Sequence, residues 1–93
     1  MLRIEPDDAM RRLLSAGGRF FQYRNKQGTR RSIYQISRAL AAIARSANVL
    51  FILNDHADIA VAIGADGVHL GQDDLPIVAA RKLYGNRGII GIS

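Results

Sequence analysis

The chain has 93 residues, of which 48% are hydrophobic and 23% are charged, a balance typical of one globular domain rather than a disordered segment. It contains no cysteine, which excludes a disulfide framework, a zinc–thiolate site and thiol catalysis. No apolar run approaches the roughly 18 to 20 residues of a membrane helix, and the charged N-terminal residues do not fit a secretory signal. We therefore expect a cytoplasmic protein without membrane contact.

Charge is distributed unevenly along the chain, whose formal net charge is +5. Residues 1–45 hold ten basic and three acidic residues, whereas residues 46–93 hold three basic and five acidic ones. A basic half favours a phosphate-bearing partner, and an acidic half is suited to holding a cation. Together the two halves predict a site for a metal-bound phosphate ester.

The first half of the chain alternates helix and strand patterns. Residues 6–16 begin with Pro6, carry acids in the first turn and place Met10, Leu13 and Leu14 on one face, which predicts a helix. The aromatic-rich segment that follows, residues 19–24, is a predicted strand. A long helix is predicted next, over residues 31–46, from apolar residues at helical spacing: Ile33, Ile36, Leu40, Ile43 and Ala44.

The second half repeats this alternation with shorter elements. The continuous apolar run at 49–53 is typical of a strand buried on both faces. The remaining elements are predicted in the order helix, strand, helix and strand, over residues 58–63, 67–70, 75–84 and 89–92. The sequence Gly-Ala-Asp-Gly before the third strand is typical of a helix-to-strand turn.

Strict alternation of helices with buried strands predicts an α/β fold whose parallel sheet is built from right-handed βαβ units. A doubly wound sheet and a (β/α)8 TIM barrel both satisfy this pattern. A full barrel needs eight strands and on the order of 250 residues. With four predicted strands, residues 1–93 form at most a single partial barrel domain, about half of a barrel.

Polar side chains follow the predicted strands, where parallel sheets carry their active sites. Gln22, Arg24 and Lys26 stand two residues apart, so an extended chain would place all three on one face. In one hypothesis, that face directs an amide and two cations into a common cavity. In the alternative, Arg24 and Lys26 only solvate the loop that begins at Asn25.

Carboxylates follow the next two strands. Asn54 and Asp55 come directly after the second predicted strand, and Asp73 and Asp74 come after the third. The alternative role for each is a cap on the helix that follows. Because the carboxyl ends of parallel strands meet at one rim, these acids and the cations after the first strand are expected to converge. Such oxygen ligands suit Mg²⁺, which commonly binds one or two carboxylates plus substrate phosphates.

The histidines and a basic loop carry weaker signals. His56 and His69 lack a zinc pattern and a third ligand, which favours packing or loop roles. The basic run at 24–31 suggests contact with RNA, but it lacks the aromatic spacing of an RRM and the GXXG loop of a KH domain. Nucleic acid is therefore a disfavoured partner.

Several motifs resemble the thiamine-phosphate synthase family, whose fold is a (β/α)8 barrel. The resemblance is carried by FQYRNK, FILNDHADIAVAIGADGVHLGQDDLP and IIGIS. These segments contain Q-x-R-x-K, N-D-x-x-x-x-A, G-A-D-G-V-H-L-G-Q-x-D and G-x-S in the family's order. The match runs from about Gly18 to Ser93, which is most of the chain.

This family joins hydroxymethylpyrimidine diphosphate to thiazole phosphate and releases pyrophosphate, which makes thiamine phosphate. The substrate-binding residues that the resemblance implies are Gln22 for the pyrimidine, Arg24, Lys26 and Asn54 for the diphosphate, and Ser93 for both. The implied ligands of Mg²⁺ are Asp55 and Asp74, with Asp73 left out. In the family the C–O bond ionises first and the thiazole nitrogen captures the carbocation, so no protein nucleophile is implied.

The resemblance also has gaps. The family's first strand and everything after the G-x-S strand are missing, including a further pyrophosphate-binding lysine and the glycine-rich loops for the thiazole phosphate. We therefore expect a fragment whose activity depends on the missing half. With open sheet edges, it is expected to self-associate, pair with a complementary half-barrel or be only marginally folded. Two alternatives remain: a thiazole tautomerase of the TenI type, and a non-catalytic binding or assembly module that touches RNA through residues 24–31.

Overall fold

The computed structural model of the chain describes residues 3–5, 19–86 and 88–92. Its elements in chain order are β1 (Arg3–Glu5), β2 (Phe20–Tyr23), α1 (Arg30–Ser46), β3 (Leu50–Asn54), α2 (Ala57–Ile63), β4 (Gly67–Leu70), α3 (Ile77–Tyr84) and β5 (Ile89–Ile92). The helices and strands predicted from residue 19 onward are confirmed, with small shifts at their ends. The helix predicted over 6–16 lies outside the described residues.

The strands form one sheet in the order β1-β5-β4-β3-β2. Strands β2 to β5 pair in parallel and in chain order, and each is connected to the next by a helix. This arrangement confirms the predicted segment of a (β/α)8 barrel. Of the described helices, none is long and apolar enough to span a membrane.

Strand β1 was not predicted. It pairs antiparallel with β5, Arg3 opposite Ile92 and Glu5 opposite Ile90. Three residues are too few to show the alternating pattern that indicates a strand, and the partner strand lies at the other end of the chain. An antiparallel edge strand on an otherwise parallel sheet is common in α/β folds.

Strand β3 lies at the centre of the packing and is buried on both faces, as its apolar run predicted. Phe51 and Leu53 are each 1% exposed and belong to the large core cluster under the helices. Ile52 points to the other face, where it packs with Ile89 and Leu50. The two-sided burial explains why this strand has no polar residue before Asn54.

Helix α1 begins at a Thr29 cap whose side chain accepts a hydrogen bond from the Ser32 N–H at 3.1 Å. The residues that it buries are Ile33, Ser37, Ala41 and Ala44. Two isoleucines that were expected to share the apolar face, Ile36 and Ile43, are instead 43% and 64% exposed. The small residues Ser37 and Ala41 allow close approach to the sheet, so the buried face is rotated away from the larger side chains.

The amino ends of the parallel strands are joined by hydrogen bonds to the side chain and the backbone of Asp66. Its Oδ2 accepts from the Phe51 N–H at 2.8 Å, its own N–H donates to the Phe51 carbonyl at 2.9 Å, and its carbonyl accepts from the Ile89 N–H at 2.9 Å. Beside it, a Cβ on Gly67 would lie 2.2 Å from the Ile89 carbonyl oxygen. Only glycine therefore allows β4 and β5 to approach this closely.

Candidate functional site

A cleft of about 200 Å³ lies at the opposite end of the sheet, beyond the carboxyl ends of β3 and β4. The loop after β2 forms its other wall. The residues that line the cleft are Asn25, Lys26, Gly28, Ile33, Asp55, His56 and Asp74. It therefore combines cationic and anionic groups from three successive βα connections, as the sequence predicted.

Two carboxyl groups meet in this cleft. Asp55 and Asp74 are hydrogen-bonded to each other, and burial, followed by this bond and the charge of Asp74, raises the pKa of Asp55. Lys26 and His56 act in the opposite direction and lower this pKa. Two carboxylates in contact repel each other when both are ionised, and a proton or a cation between them relieves this repulsion. The pair is thus a position where positive charge is favoured.

The backbone at Asp55 is held in a rare conformation. Its φ of 77° lies in the left-handed region, and the His56 N–H donates to the Asn54 carbonyl at 3.0 Å across it, which forms a γ-turn. The Asp55 N–H donates to the His69 carbonyl of β4 at 2.8 Å. A non-glycine residue in this region costs on the order of 1 to 3 kcal/mol, and such residues are concentrated at functional sites.

Asp74 is oriented by its own loop. Its Oδ2 accepts from the Gly71 N–H at 2.7 Å, and its N–H donates to the Gly71 carbonyl at 3.3 Å. A Cβ on Gly71 would lie 3.2 Å from the same Oδ2, so the loop closes tightly around this carboxylate. Its neighbour Asp73 is exposed and does not line the cleft.

The alternative that these polar residues cap helices is wrong. The cap position of α2 is His56 and that of α3 is Pro76, and neither helix has a side-chain cap bond. The side chains of Asn54 and Asp74 are used within the site instead. Aspartate and asparagine ahead of a helix have the same local pattern whether they cap it or not, so the sequence alone left both roles open.

The cations after β2 have an arrangement different from the predicted one. The strand ends at Tyr23, so the two-residue alternation does not extend to Arg24 and Lys26. The chain turns at Asn25, whose Oδ1 accepts from the N–H groups of Gln27 at 3.0 Å and Gly28 at 2.9 Å. This turn brings Lys26 into the cleft lining, while Arg24 is exposed and lies outside it.

The amides of Gln22 and Asn54 are in direct contact. Gln22 is level with Ile52 in the parallel register, which places it diagonally from Asn54 on the same face of the sheet. The Gln22 Nε2 donates to the Asn54 Oδ1 at 2.5 Å. Asn54 is 8% exposed, whereas Gln22 is exposed.

The structure therefore brings most of the predicted site residues together in two adjoining groups. Lys26, Asp55 and Asp74 share the cleft, and the Gln22–Asn54 amide pair lies beside it at the end of β3. Arg24 lies on the exposed rim. Ser93 is outside the described residues.

Sequence reasoning missed two polar side chains of the cleft, Asn25 and His56. Asn25 was considered only as the start of a loop, although its side chain forms that loop. His56 was assigned a packing or loop role because it lacks a zinc pattern. Its position just after the end of a predicted parallel strand was the available signal, since residues that directly follow such strands lie at the rim of the sheet.

The donor set fits magnesium. The described residues contain no group of three or more His, Cys, Asp or Glu side chains suited to a metal, which argues against a closed all-protein site. Mg²⁺ commonly takes one or two carboxylates and completes its shell with water and substrate phosphates. Asp55 and Asp74 supply two carboxylates of this kind in one cleft.

Comparison with known proteins identifies a family that the sequence of this chain matches. The sequence profile described as thiamine monophosphate synthase matches residues 4–93. A thiamine-phosphate synthase from Chlorobium luteolum is 50% identical over 88 residues, covering 95% of this chain and 42% of the relative. One from Lawsonia intracellularis is 46% identical over 86 residues, covering 92% and 40%.

The same relationship is found in three dimensions. The structure of a thiamine phosphate pyrophosphorylase from Pyrococcus furiosus superposes with a TM-score of 0.71 and 34% sequence identity, covering 92% of this chain and 43% of that one. The chain spans about two fifths of the length of the relatives that it matches. Since the profile covers almost every residue, the resemblance predicted from the motifs is confirmed, and the chain belongs to the thiamine monophosphate synthase family.

Proposed function

We propose that this chain supplies the pyrimidine- and diphosphate-binding part of a thiamine-phosphate synthase, which joins hydroxymethylpyrimidine diphosphate to thiazole phosphate. The observation that carries the proposal is the Asp55–Asp74 carboxyl pair facing Lys26 in one cleft. Paired acids opposite a cation suit a metal-bound diphosphate better than any neutral ligand. The relatives named thiamine-phosphate synthase support the same assignment.

The proposed reaction requires charge neutralisation rather than a nucleophilic side chain. The bond between the pyrimidine methylene carbon and the diphosphate oxygen breaks, and the diphosphate leaves with the electron pair. The thiazole ring nitrogen then donates its lone pair to that carbon, which forms the new C–N bond. Since negative charge grows on the departing diphosphate, fixed positive groups at that position stabilise the transition state.

The chain's own groups are suited to that task. Lys26 lies in the cleft, and Arg24 on the exposed rim is available to reach a bound diphosphate; Asn54 has an amide nitrogen to donate. Asp55 and Asp74 would hold Mg²⁺, which would neutralise charge on the leaving diphosphate. Ser93, beyond the described residues, is retained as a proposed contact to the pyrophosphate and the pyrimidine.

Calorimetric titration of the purified chain with magnesium pyrophosphate tests the diphosphate site directly, because the leaving group is also a product. We expect Asp74→Asn to weaken binding about tenfold or more, since a removed metal ligand costs at least as much as a disturbed second shell. Asp73→Asn is the matched control, because it makes the same chemical change on the exposed neighbour. Equal effects of the two variants would contradict the proposed metal site.

Turnover is then measured with both substrates and Mg²⁺ by the formation of thiamine phosphate. Product that disappears in Arg24→Ala supports a complete synthase site. Binding of pyrophosphate without turnover would mean that the catalytic cycle needs the other three fifths of the relatives' length. The same experiment tests the alternatives: a TenI-type tautomerase does not need the metal pair, and an RNA-binding module would show salt-sensitive RNA binding unaffected by Asp55→Ala.

We infer that the chain acts within an assembly, either with a second copy or with a complementary half-barrel. Strand β2 is an edge of the sheet, and its Phe20 and Phe21 are 38% and 45% exposed. An apolar groove of about 150 Å³ lies beside it, between Phe21 and α1. Exposed apolar edge strands favour association. Sedimentation velocity at micromolar concentration tests this inference, and a compact, stable monomer would contradict it.

A cytoplasmic location belongs to the same proposal. The substrates assigned to the site carry phosphate and diphosphate groups, and charged groups are costly to move through a bilayer. The enzyme is therefore expected in the compartment where these esters are made. Fractionation of cells that express the tagged chain tests this location.

A further inference from the structure

The contact between Gln22 and Asn54 has a direction. Gln22 donates through Nε2, and Asn54 accepts through Oδ1, at 2.5 Å. A primary amide has two N–H donors and one carbonyl acceptor. After this bond is made, Gln22 keeps one N–H and its carbonyl oxygen, while Asn54 keeps both N–H groups of Nδ2.

These remaining groups differ in what they can recognise. The free donor and acceptor of Gln22 form an adjacent pair, which matches the edge of a heterocycle that carries an amino group next to a ring nitrogen. The remaining groups of Asn54 are donors only, which suits an anion. No bond between Asn54 Nδ2 and another described residue competes for these donors.

We propose that Asn54 is a positioning residue for Gln22: its carbonyl fixes the Gln22 amide so that one N–H and the carbonyl oxygen are presented to the pyrimidine. The inference rests on the proposed function, because the pyrimidine subsite is part of it. It adds a role to Asn54 beyond contact with the diphosphate. Asn54 is able to hold Gln22 in place because it is itself 8% exposed and stands at the end of the buried strand β3.

The opposite direction of the bond would be unfavourable at this site. If Asn54 donated to Gln22, its carbonyl oxygen would be left for the neighbouring ligand, and an oxygen lone pair repels a diphosphate. In the observed direction, the Asn54 carbonyl oxygen accepts from Gln22 and therefore does not face the anion. Diphosphate binding and the orientation of the Gln22 amide are therefore expected to reinforce each other.

Two small ligands separate positioning from direct contact. Hydroxymethylpyrimidine carries the heterocycle without phosphate, and magnesium pyrophosphate carries the phosphates without the heterocycle. We expect Asn54→Ala to weaken binding of hydroxymethylpyrimidine about tenfold, as much as Gln22→Ala does, because a lost amide hydrogen bond and a disordered partner have effects of this size. The double variant should be no weaker than either single one. Gln35→Ala, an exposed glutamine on α1, is the matched control.

Asn54→Asp distinguishes the two roles of this residue without changing its shape. An aspartate retains an oxygen that accepts from Gln22 but has no N–H donor for the anion. We expect it to restore the affinity for hydroxymethylpyrimidine to within about twofold of the wild type, while binding of pyrophosphate falls. If Asn54→Ala lowers only the pyrophosphate affinity and leaves hydroxymethylpyrimidine unchanged, the positioning role is overturned.

A readout without ligand keeps the inference testable if the chain binds neither compound. In that outcome the proposed function fails, and the side-chain amide resonances of Gln22 decide the positioning role by themselves. The hydrogen-bonded Nε2 proton should have a chemical shift displaced from that of a free glutamine side chain; this displacement should be lost in Asn54→Ala and return in Asn54→Asp. Gln22 resonances that are the same in all three proteins would overturn the inference.

Discussion

The two ends of the parallel sheet use their aspartates in opposite ways. At the amino end, the Asp66 carboxylate accepts a backbone N–H from Phe51 and the strands are joined around it. At the carboxyl end, Asp55 and Asp74 face each other, and burial and the Asp74 carboxyl group raise the pKa of Asp55. At one end of the sheet the carboxylate is bonded to the protein's own backbone, whereas at the other, two carboxyl groups line an open cleft.

The same division appears in the surrounding contacts. Near Asp66, the Tyr84 hydroxyl donates to the Ala65 carbonyl at 2.6 Å, and the Arg81 Nη1 donates to the Gly88 carbonyl at 2.6 Å. Both bonds tie α3 and its flanking loops to the strands. The carboxyl end has instead a left-handed aspartate, a short γ-turn and an open cleft. In barrels of this kind, residues at the amino ends of the strands serve stability and residues at the carboxyl ends serve chemistry. Substitutions at the amino end should therefore change the free energy of unfolding, and those at the carboxyl end should change ligand binding.

The largest expected effect is at Gly67. A methyl group there would collide with the Ile89 backbone, so Gly67→Ala should lower the free energy of unfolding by about 3 kcal/mol or more. Gly64→Ala is the control, because Gly64 also has φ +72°, in the left-handed helical region, but a new Cβ there would meet only the Arg45 Nη2 at 3.5 Å; it should cost only about 1 to 2 kcal/mol. Chemical denaturation measures both. Equal costs would mean that the close approach of β4 and β5 at Gly67 adds nothing to the stability of the sheet.

Asp66→Ala should have the next largest effect. It leaves the Phe51 N–H, in a strand that is buried on both faces, without the carboxylate that now accepts from it, at a cost of about 2 kcal/mol in unfolding free energy. Asp73→Ala removes an exposed acid and should change stability by less than about 0.5 kcal/mol. If both variants unfold at the same denaturant concentration, the Asp66 carboxylate does not stabilise the amino end of the sheet.

Asp55→Asn should act in the opposite direction and stabilise the chain by about 1 kcal/mol at neutral pH in the absence of Mg²⁺. The substitution removes repulsion with Asp74, and asparagine tolerates the left-handed conformation better than most residues. Binding of magnesium pyrophosphate should be lost at the same time. A destabilised Asp55→Asn would show that the carboxyl pair is structural rather than functional.

The pH dependence of this gain has a definite sign. The pKa of Asp55 is raised in the folded chain by burial and by Asp74, so the folded state holds this proton more tightly than the unfolded state. The advantage is present at low pH and is lost as the pH rises from about 4 through the raised pKa. The difference in unfolding free energy between Asp55→Asn and the wild type should therefore grow over that range and then level off. A constant difference from acid to neutral pH would contradict the raised pKa.

Gly71→Ala should have the smallest effect on stability, below about 1 kcal/mol, because the new Cβ would only press on the Asp74 Oδ2. The displaced carboxylate should nevertheless weaken Mg²⁺ binding several-fold, since orientation of a ligand by its neighbours contributes to metal affinity. Stability and metal affinity are measured on the same sample. A loss of stability with unchanged metal affinity would remove Gly71 from the site.

Much of this organisation was predictable from the sequence because it is local. The run VLFIL is long enough and apolar enough to indicate a two-sided buried strand, and the residues directly after it must lie at the rim. The rotation of α1 was not predictable, since Ile36 and Ile43 fit the helical period as well as Ser37 and Ala41 do. The choice among them depends on how closely the helix packs on the sheet, which no local pattern records. The Gln22–Asn54 bond was likewise out of reach, because it depends on the register between two strands.

The short strand β1 has a consequence for how copies of the chain can join. A sheet with two open edges can add copies head to tail without end, which produces filaments. Here the two edge strands of the described sheet are β2 and β1, and β1, which pairs antiparallel with β5, has only three residues. A strand this short offers few unpaired N–H and C=O groups to a further copy, so growth through strand pairing is expected to favour the β2 edge. A further parallel strand can pair with β5 only if β1 is first displaced. These three residues therefore limit association at the β5 edge and oppose closure of a barrel there.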